Sequence, residues 1–313
     1  RIQAHGKLLI SSEYMVMYGS KALAVPLRKG QMLQKHRSDN PRIFSWKAYY
    51  GEQSWFHALY DPSSLRILES SDRDRAVYLQ QLIRSCIEMM PAFQEDLFNW
   101  DVETRLDFSP DWGLGSSSTL IALLAEWAEV NPLDLHFSVS SGSGFDVACA
   151  IADGPLIYRL RDGSPTYLHV PFHPPFSRHL QFAWLGKKQP TEAHLKEVSG
   201  RINPDYQLIH LFTELTEQML HAKELSIFQD LMETHESQLA GILGMEPVSS
   251  SIFRDMPGSV KSLGAWGGDF VLIASEAPRE ELEKYLGRQG IHQIFSFDEL
   301  VYYGTEPGEE PPA

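Results

Sequence analysis

The run Gly113-Leu114-Gly115-Ser116-Ser117-Ser118 is made almost entirely of small residues, so its backbone N–H groups can approach an anion closely. That is the chemistry of a phosphate cradle. Before the run, residues 100–108 alternate apolar (Trp100, Val102, Leu106, Phe108, with Thr104 between) and charged (Asp101, Glu103, Arg105, Asp107), a half-buried strand. After it, Leu120, Leu123, Leu124 and Trp127 recur with the spacing of one helix face. A helix that opens out of a Gly/Ser loop presents unpaired N–H groups and the positive end of its dipole, which together favour a phosphate. The same residues also read as a glycine turn followed by a serine cap, and local pattern alone leaves both readings open.

Other residues able to do chemistry are sparse. Asp146, in Gly144-Phe145-Asp146-Val147-Ala148, stands before an apolar stretch, where an aspartate is a favoured helix cap. Lys7 follows Gly6 on a strand-like segment and by itself reads as a surface lysine. Lys187 and Lys188 form a pair in a Gly/Pro-flanked loop, either solvated or binding an acidic group. The twelve histidines show no metal-ligand spacing. Cys86 and Cys149 support neither a disulfide framework nor a zinc cluster. Both read as small core residues, Cys149 also as a thiol three residues from Asp146.

These residues need elements to hold them. Residues 2–10 predict a strand, 42–60 an aromatic hairpin turning at Gly51-Glu52, 72–90 a helix ending before Pro91, and 156–160 a strand after Gly154-Pro155. The stretch 162–175 carries Gly163, Pro165, Pro171, Pro174 and Pro175 and is the expected domain crossing. Beyond it, residues 206–222 and 225–243 predict long amphipathic helices and 278–286 a shorter one. The acidic, proline-rich tail is expected to be disordered.

With 313 residues, 43% hydrophobic and 22% charged, the chain can bury a substantial core and fits two domains better than one. A formal net charge of −14 argues against nucleic acid and anionic membranes, both of which reward clustered Lys and Arg. No apolar run is long enough for a bilayer and no secretory pattern opens the chain, so a cytoplasmic location is expected.

Three segments in order resemble the signature motifs of the GHMP kinases, the superfamily of galactokinase, homoserine kinase, mevalonate kinase and phosphomevalonate kinase. They are Ala4-His5-Gly6-Lys7-Leu8-Leu9-Ile10 with Ser12-Glu13-Tyr14, the run 112–119, and Ser262-Leu263-Gly264-Ala265-Trp266-Gly267-Gly268-Asp269. A further segment, Gly142-Ser143-Gly144-Phe145-Asp146, is similar to the one that carries the catalytic aspartate in the mevalonate and phosphomevalonate kinases. Within the superfamily the chain resembles the bacterial GYDIA-type subgroup, which is mevalonate-kinase-like.

The resemblance implies an α+β, two-domain fold: an N-terminal mixed sheet with helices (1–165) and a helix-rich, ferredoxin-like C-terminal α/β domain (166–305), followed by the tail 306–313. It implies transfer of the γ-phosphoryl group of ATP, with Mg²⁺, to a small-molecule hydroxyl or phosphate acceptor, mevalonate or phosphomevalonate first. Partners beyond the acceptor would be at most a second copy of the chain, with no nucleic acid and no membrane. In this reading Asp146 and Lys7 are catalytic, residues 113–118 hold the nucleotide, the Ser117 hydroxyl approaches Mg²⁺, and Glu13, Tyr14, Gly267 and Gly268 line the acceptor. Two positions depart from mevalonate kinase. Tyr14 stands where histidine is usual, and Leu135, eleven residues before Asp146, replaces the glutamate that holds Mg²⁺. A sugar or amino-alcohol kinase, or a ligand sensor of the same fold, are the alternatives.

Overall fold

The computed structural model describes residues 1–186, 202–264 and 269–304. They divide into two compact units: Arg1–Gly6, Lys29–Pro110 and Leu114–Ile151 in the first, and Lys7–Arg28, Asp111–Gly113 and the described residues from Ala152 on in the second. Segments remote in sequence therefore share a unit.

The first unit is built on a sheet. Strands β2 (Ala22–Arg37), β3 (Phe44–Tyr50), β4 (Gln53–Tyr60), β5 (Ile67–Ser70) and β6 (Trp100–Leu106) lie in the order β5-β4-β3-β6-β2, and β1 (Ile2–Leu9) also pairs with β2. The β3–β6 pair is parallel and the ladders of β3–β4, β4–β5 and β2–β6 are antiparallel, so the sheet is mixed, as expected. In β6 the alternation works out as read: Val102, Thr104 and Leu106 are buried, and the charged residues between them are half-buried.

Helices α1 (Arg73–Met89), α2 (Phe93–Asn99), α3 (Ser116–Ala128), α4 (Pro132–Val139) and α5 (Phe145–Ala150) complete this unit. Asp72 caps α1 through the N–H groups of Asp74 and Arg75. Helix α3 buries Ile121 to Ala125, Trp127 and Ala128, so apolar contacts surround it nearly all the way round. Its N-terminus is therefore held by a rigid, packed element.

In the second unit β7 (Leu156–Arg161) pairs with β8 (Ser164–His169) and with Ala22–Ala24 of β2. The stretch 162–175, read from its glycines and prolines as a crossing, holds strand β8, because Gly163 (φ 75°) closes a hairpin there. The remaining elements are β9 (Leu180–Trp184), α6 (Tyr206–His221), α7 (Leu225–Leu243), α8 (Val248–Ser251), β10 (Ser259–Leu263), β11 (Phe270–Ala274), α9 (Arg279–Arg288), β12 (Gln293–Ser296) and α10 (Phe297–Leu300). The last four strands form an antiparallel sheet in the order β10-β11-β9-β12. With α6 and α7 after β9 and α9 before β12, this is the β-α-β-β-α-β, ferredoxin-like arrangement. Among the described residues no helix is long and apolar enough to cross a membrane.

Candidate functional site

In the first unit, Gly115 takes the cap position of α3 at φ 95°, and no side chain caps the helix. The serine-cap alternative therefore does not hold, and among the described residues no side chain caps the first turn. The three serines differ. Ser118 is buried, and its hydroxyl donates back to Gly115 O at 2.8 Å. Ser117 is exposed, with Oγ 2.9 Å from the Tyr78 hydroxyl on α1. Ser116 is half-buried. Leu114 points its side chain into the core, leaving only its backbone to the loop. Thr119 fixes the turn from beneath, donating from Oγ1 to Gln31 Oε1 on β2 at 2.7 Å.

Asp146 belongs to the same unit. The cap of α5 is Gly144 (φ 80°), so Asp146 lies inside the first turn instead of capping it, half-buried, with Oδ1 accepting from Val147 N–H at 3.1 Å. Leu135 is fully buried in the core.

In the second unit, Lys7 Nζ donates to Gly113 O at 3.1 Å, which places an ammonium on the residue that leads into the Leu114–Ser118 loop. Gly113 has φ 72°, and a Cβ there would collide with the Asp269 carboxylate. Trp112 anchors the same short segment. Its ring packs 5.9 Å from Trp184 and 5.6 Å from Phe295 (centroids), on one face of the β9–β12 sheet.

Glu13 and Tyr14 lie in the second unit as well. Glu13 is 2% exposed and ion-paired with the fully buried Lys261 of β10. Ser12 N–H donates to His235 Nε2 on α7 at 2.8 Å, and Glu236, the next residue of α7, accepts from Ser262 N–H at 3.2 Å and Ser262 Oγ at 3.1 Å. Burial pushes His235 well below its ordinary range, with the Lys261 ammonium adding to the effect, so the imidazole is neutral and can accept from Ser12. Burial pushes Glu13 up against the opposing pull of Lys261, and pushes Glu236 to about 7. Ser12 (φ 64°) and Tyr14 (φ 61°) hold positive φ on either side of Glu13, and Tyr14 packs with Met15, Phe212, Leu239 and Leu243.

Sequence reasoning thus singled out Lys7 and Gly113, which this unit brings together, and Ser117 and Asp146, which open helices of the other. Gly267, Gly268, Lys187, Lys188 and the tail lie outside the described residues. It missed Tyr78, Gln31, His235, Glu236, Lys261 and the contact of Asp269 with Gly113. Two of these were signalled: His235 and Glu236 fall on the apolar stripe of α7 (Phe228, Leu231, Met232, Leu239), where polar residues need partners.

Among the described residues no group of three or more His, Cys, Asp or Glu could hold a metal. The exposed Ser117 hydroxyl is an oxygen donor of a kind that Mg²⁺ accepts beside water and phosphate oxygens.

No protein-family model matches the sequence, and no curated protein matches it in sequence. Solved structures do match the fold. Phosphomevalonate kinase of Streptococcus pneumoniae, in complex with phosphomevalonate and AMPPNP, superposes with a TM-score of 0.72 at 16% identity, covering 94% of this chain and 99% of its own. Mevalonate kinase of Methanococcus jannaschii gives 0.69 at 14% identity (97% and 98%), and galactokinase of Lactococcus lactis complexed with galactose 0.69 at 13% identity (96% and 93%). The mixed sheet with its helices and the ferredoxin-like sheet are those of this group, and the fold of the chain is the α+β GHMP kinase fold.

Proposed function

We propose that the chain is an ATP-dependent small-molecule kinase that phosphorylates mevalonate or phosphomevalonate. The observation that carries the reading is the uncapped N-terminus of α3 with an exposed serine in its first turn, in a fold shared with a kinase that binds AMPPNP. Backbone N–H groups of residues 115–118 would take the β- and γ-phosphates, and the Ser117 hydroxyl would hold Mg²⁺. Bound there with the nucleotide, the cation would neutralise charge on the phosphates. Lys7 would add positive charge beside Gly113, favouring the transferring phosphoryl group. Asp146 would orient the acceptor hydroxyl and take its proton. Glu13 and Tyr14, nearly closed to solvent, would line the acceptor, a role that rests on the resemblance alone.

The reading is tested by ADP release with Mg·ATP across mevalonate, phosphomevalonate, galactose and homoserine. Turnover of one acceptor that drops by at least about 10²-fold in Asp146→Asn supports it, the range of one proton-transfer group. Nucleotide binding without turnover of any acceptor favours a ligand sensor of this fold.

A further inference from the structure

We propose that Tyr78 is a positioning residue for the cation that accompanies the nucleotide, acting through the Ser117 hydroxyl; the inference rests on the nucleotide reading above. Tyr78 is half-buried on α1, whose Ala76, Leu79, Leu82 and Ile83 are packed in the core, so its ring starts from a fixed backbone. Its hydroxyl meets Ser117 Oγ at 2.9 Å. Ser117 is the exposed serine of the turn, whereas Ser118 spends its proton on Gly115 O.

A serine hydroxyl carries one proton and two lone pairs and rotates freely unless something fixes it. A cation takes a lone pair, so the proton must point elsewhere. Either hydroxyl of the pair can donate; in the proposed arrangement the phenol oxygen accepts from Ser117, which turns the serine's lone pairs away from α1. The pair is too exposed to matter much to the fold, since one solvent-accessible hydrogen bond contributes little net stability. Its consequence should therefore appear in cation-dependent binding and leave thermal stability unaffected.

The experiment measures ATP affinity by calorimetry, with Mg²⁺ and with EDTA, for the wild type, Tyr78→Phe, Ser117→Ala and the double variant. The expected result for Tyr78→Phe is about a 3- to 10-fold loss with Mg²⁺, the size of one hydrogen bond, a change within about twofold in EDTA, and an unaltered melting temperature. The double variant should bind no more weakly than Ser117→Ala. An equal loss in both media, no loss in Mg²⁺, or losses that add in the double variant would each overturn the role of Tyr78 while leaving the nucleotide reading intact. Failure of the wild type itself to bind ATP overturns that reading, and this role with it.

Discussion

Glu13 and Lys261 form an ion pair from which solvent is excluded on both sides, the carboxylate on the segment after β1 and the ammonium in the middle of β10. Two charges buried this completely are worth little as a pair relative to apolar residues, but either one alone is costly. Lys261→Met should therefore lower stability by about 3–5 kcal/mol, and adding Glu13→Gln should recover most of the loss. Urea unfolding midpoints of the three proteins check this, and equal midpoints for the single and double variants would contradict it.

Glu236 makes stability depend on pH. Its carboxyl is raised from 4.5 to about 7, first by burial and next by Glu13, with Lys261 opposing. Between those values the folded state holds a proton that the unfolded state has lost. Its stabilisation is thus complete below pH 4.5 and disappears as pH rises through about 7. The loss amounts to roughly 3 kcal/mol at most. Glu13, also raised, adds a slope of the same sign, whereas neutral His235 lowers stability toward acid, because the unfolded imidazole takes up a proton below 6.5. The difference between the wild type and Glu236→Gln isolates the one group. Melting curves from pH 5 to 8.5 should show the wild type losing ground to the variant as pH rises.

Much of the fold was legible because its elements are locally consistent. The hairpin turning at Gly51-Glu52, the helix capped by Asp72 and the apolar stripe of α7 are each set by local signals that agree with the fold: a turn, a cap and a period. Strand β8 was not legible, since Gly163 and Pro165 mark a turn whether the chain then leaves or returns, and only its ladder with β7 decides. At the candidate site, the glycines and serines of residues 113–118 stand out by composition. Tyr78 does not, being one aromatic on a helix at a distance of 39 residues from Ser117. Lys261 was not singled out at all, because its burial follows from tertiary pairing with Glu13, 248 residues away.

Gly113 tests how closely the loop is built. Alanine there would meet the Asp269 carboxylate and would have to hold φ 72°, a conformation that costs a non-glycine residue about 1–3 kcal/mol. On the proposed nucleotide reading, Gly113→Ala should weaken ATP binding by about tenfold or more, the equivalent of 1.4 kcal/mol, by displacing the segment that leads into residues 114–118. Asp269→Ala, by removing the obstacle, should restore part of that affinity in the double variant. Affinities of the three variants decide it, and a double variant as weak as Gly113→Ala would assign the whole effect to the backbone.

The two cysteines offer a measure of how firmly α5 is closed. Cys86 and Cys149 are completely buried and form no disulfide, and burial raises the Cys86 thiol to about 12. A thiolate is the reactive form, so a thiol hidden from water is slow on both counts. Native protein should therefore show no rapid reaction with a disulfide reagent, and two thiols should appear when it is unfolded. The site-specific information lies in Cys149, three residues along α5 from Asp146. Because α5 has only six residues, any opening that exposes Cys149 unwinds the turn that holds Asp146. Labelling of Cys149 at a rate faster than global unfolding, and slowed by ATP, would show that the aspartate's turn opens locally and is closed by nucleotide. Labelling that tracks global unfolding would show the turn that holds Asp146 to be rigid.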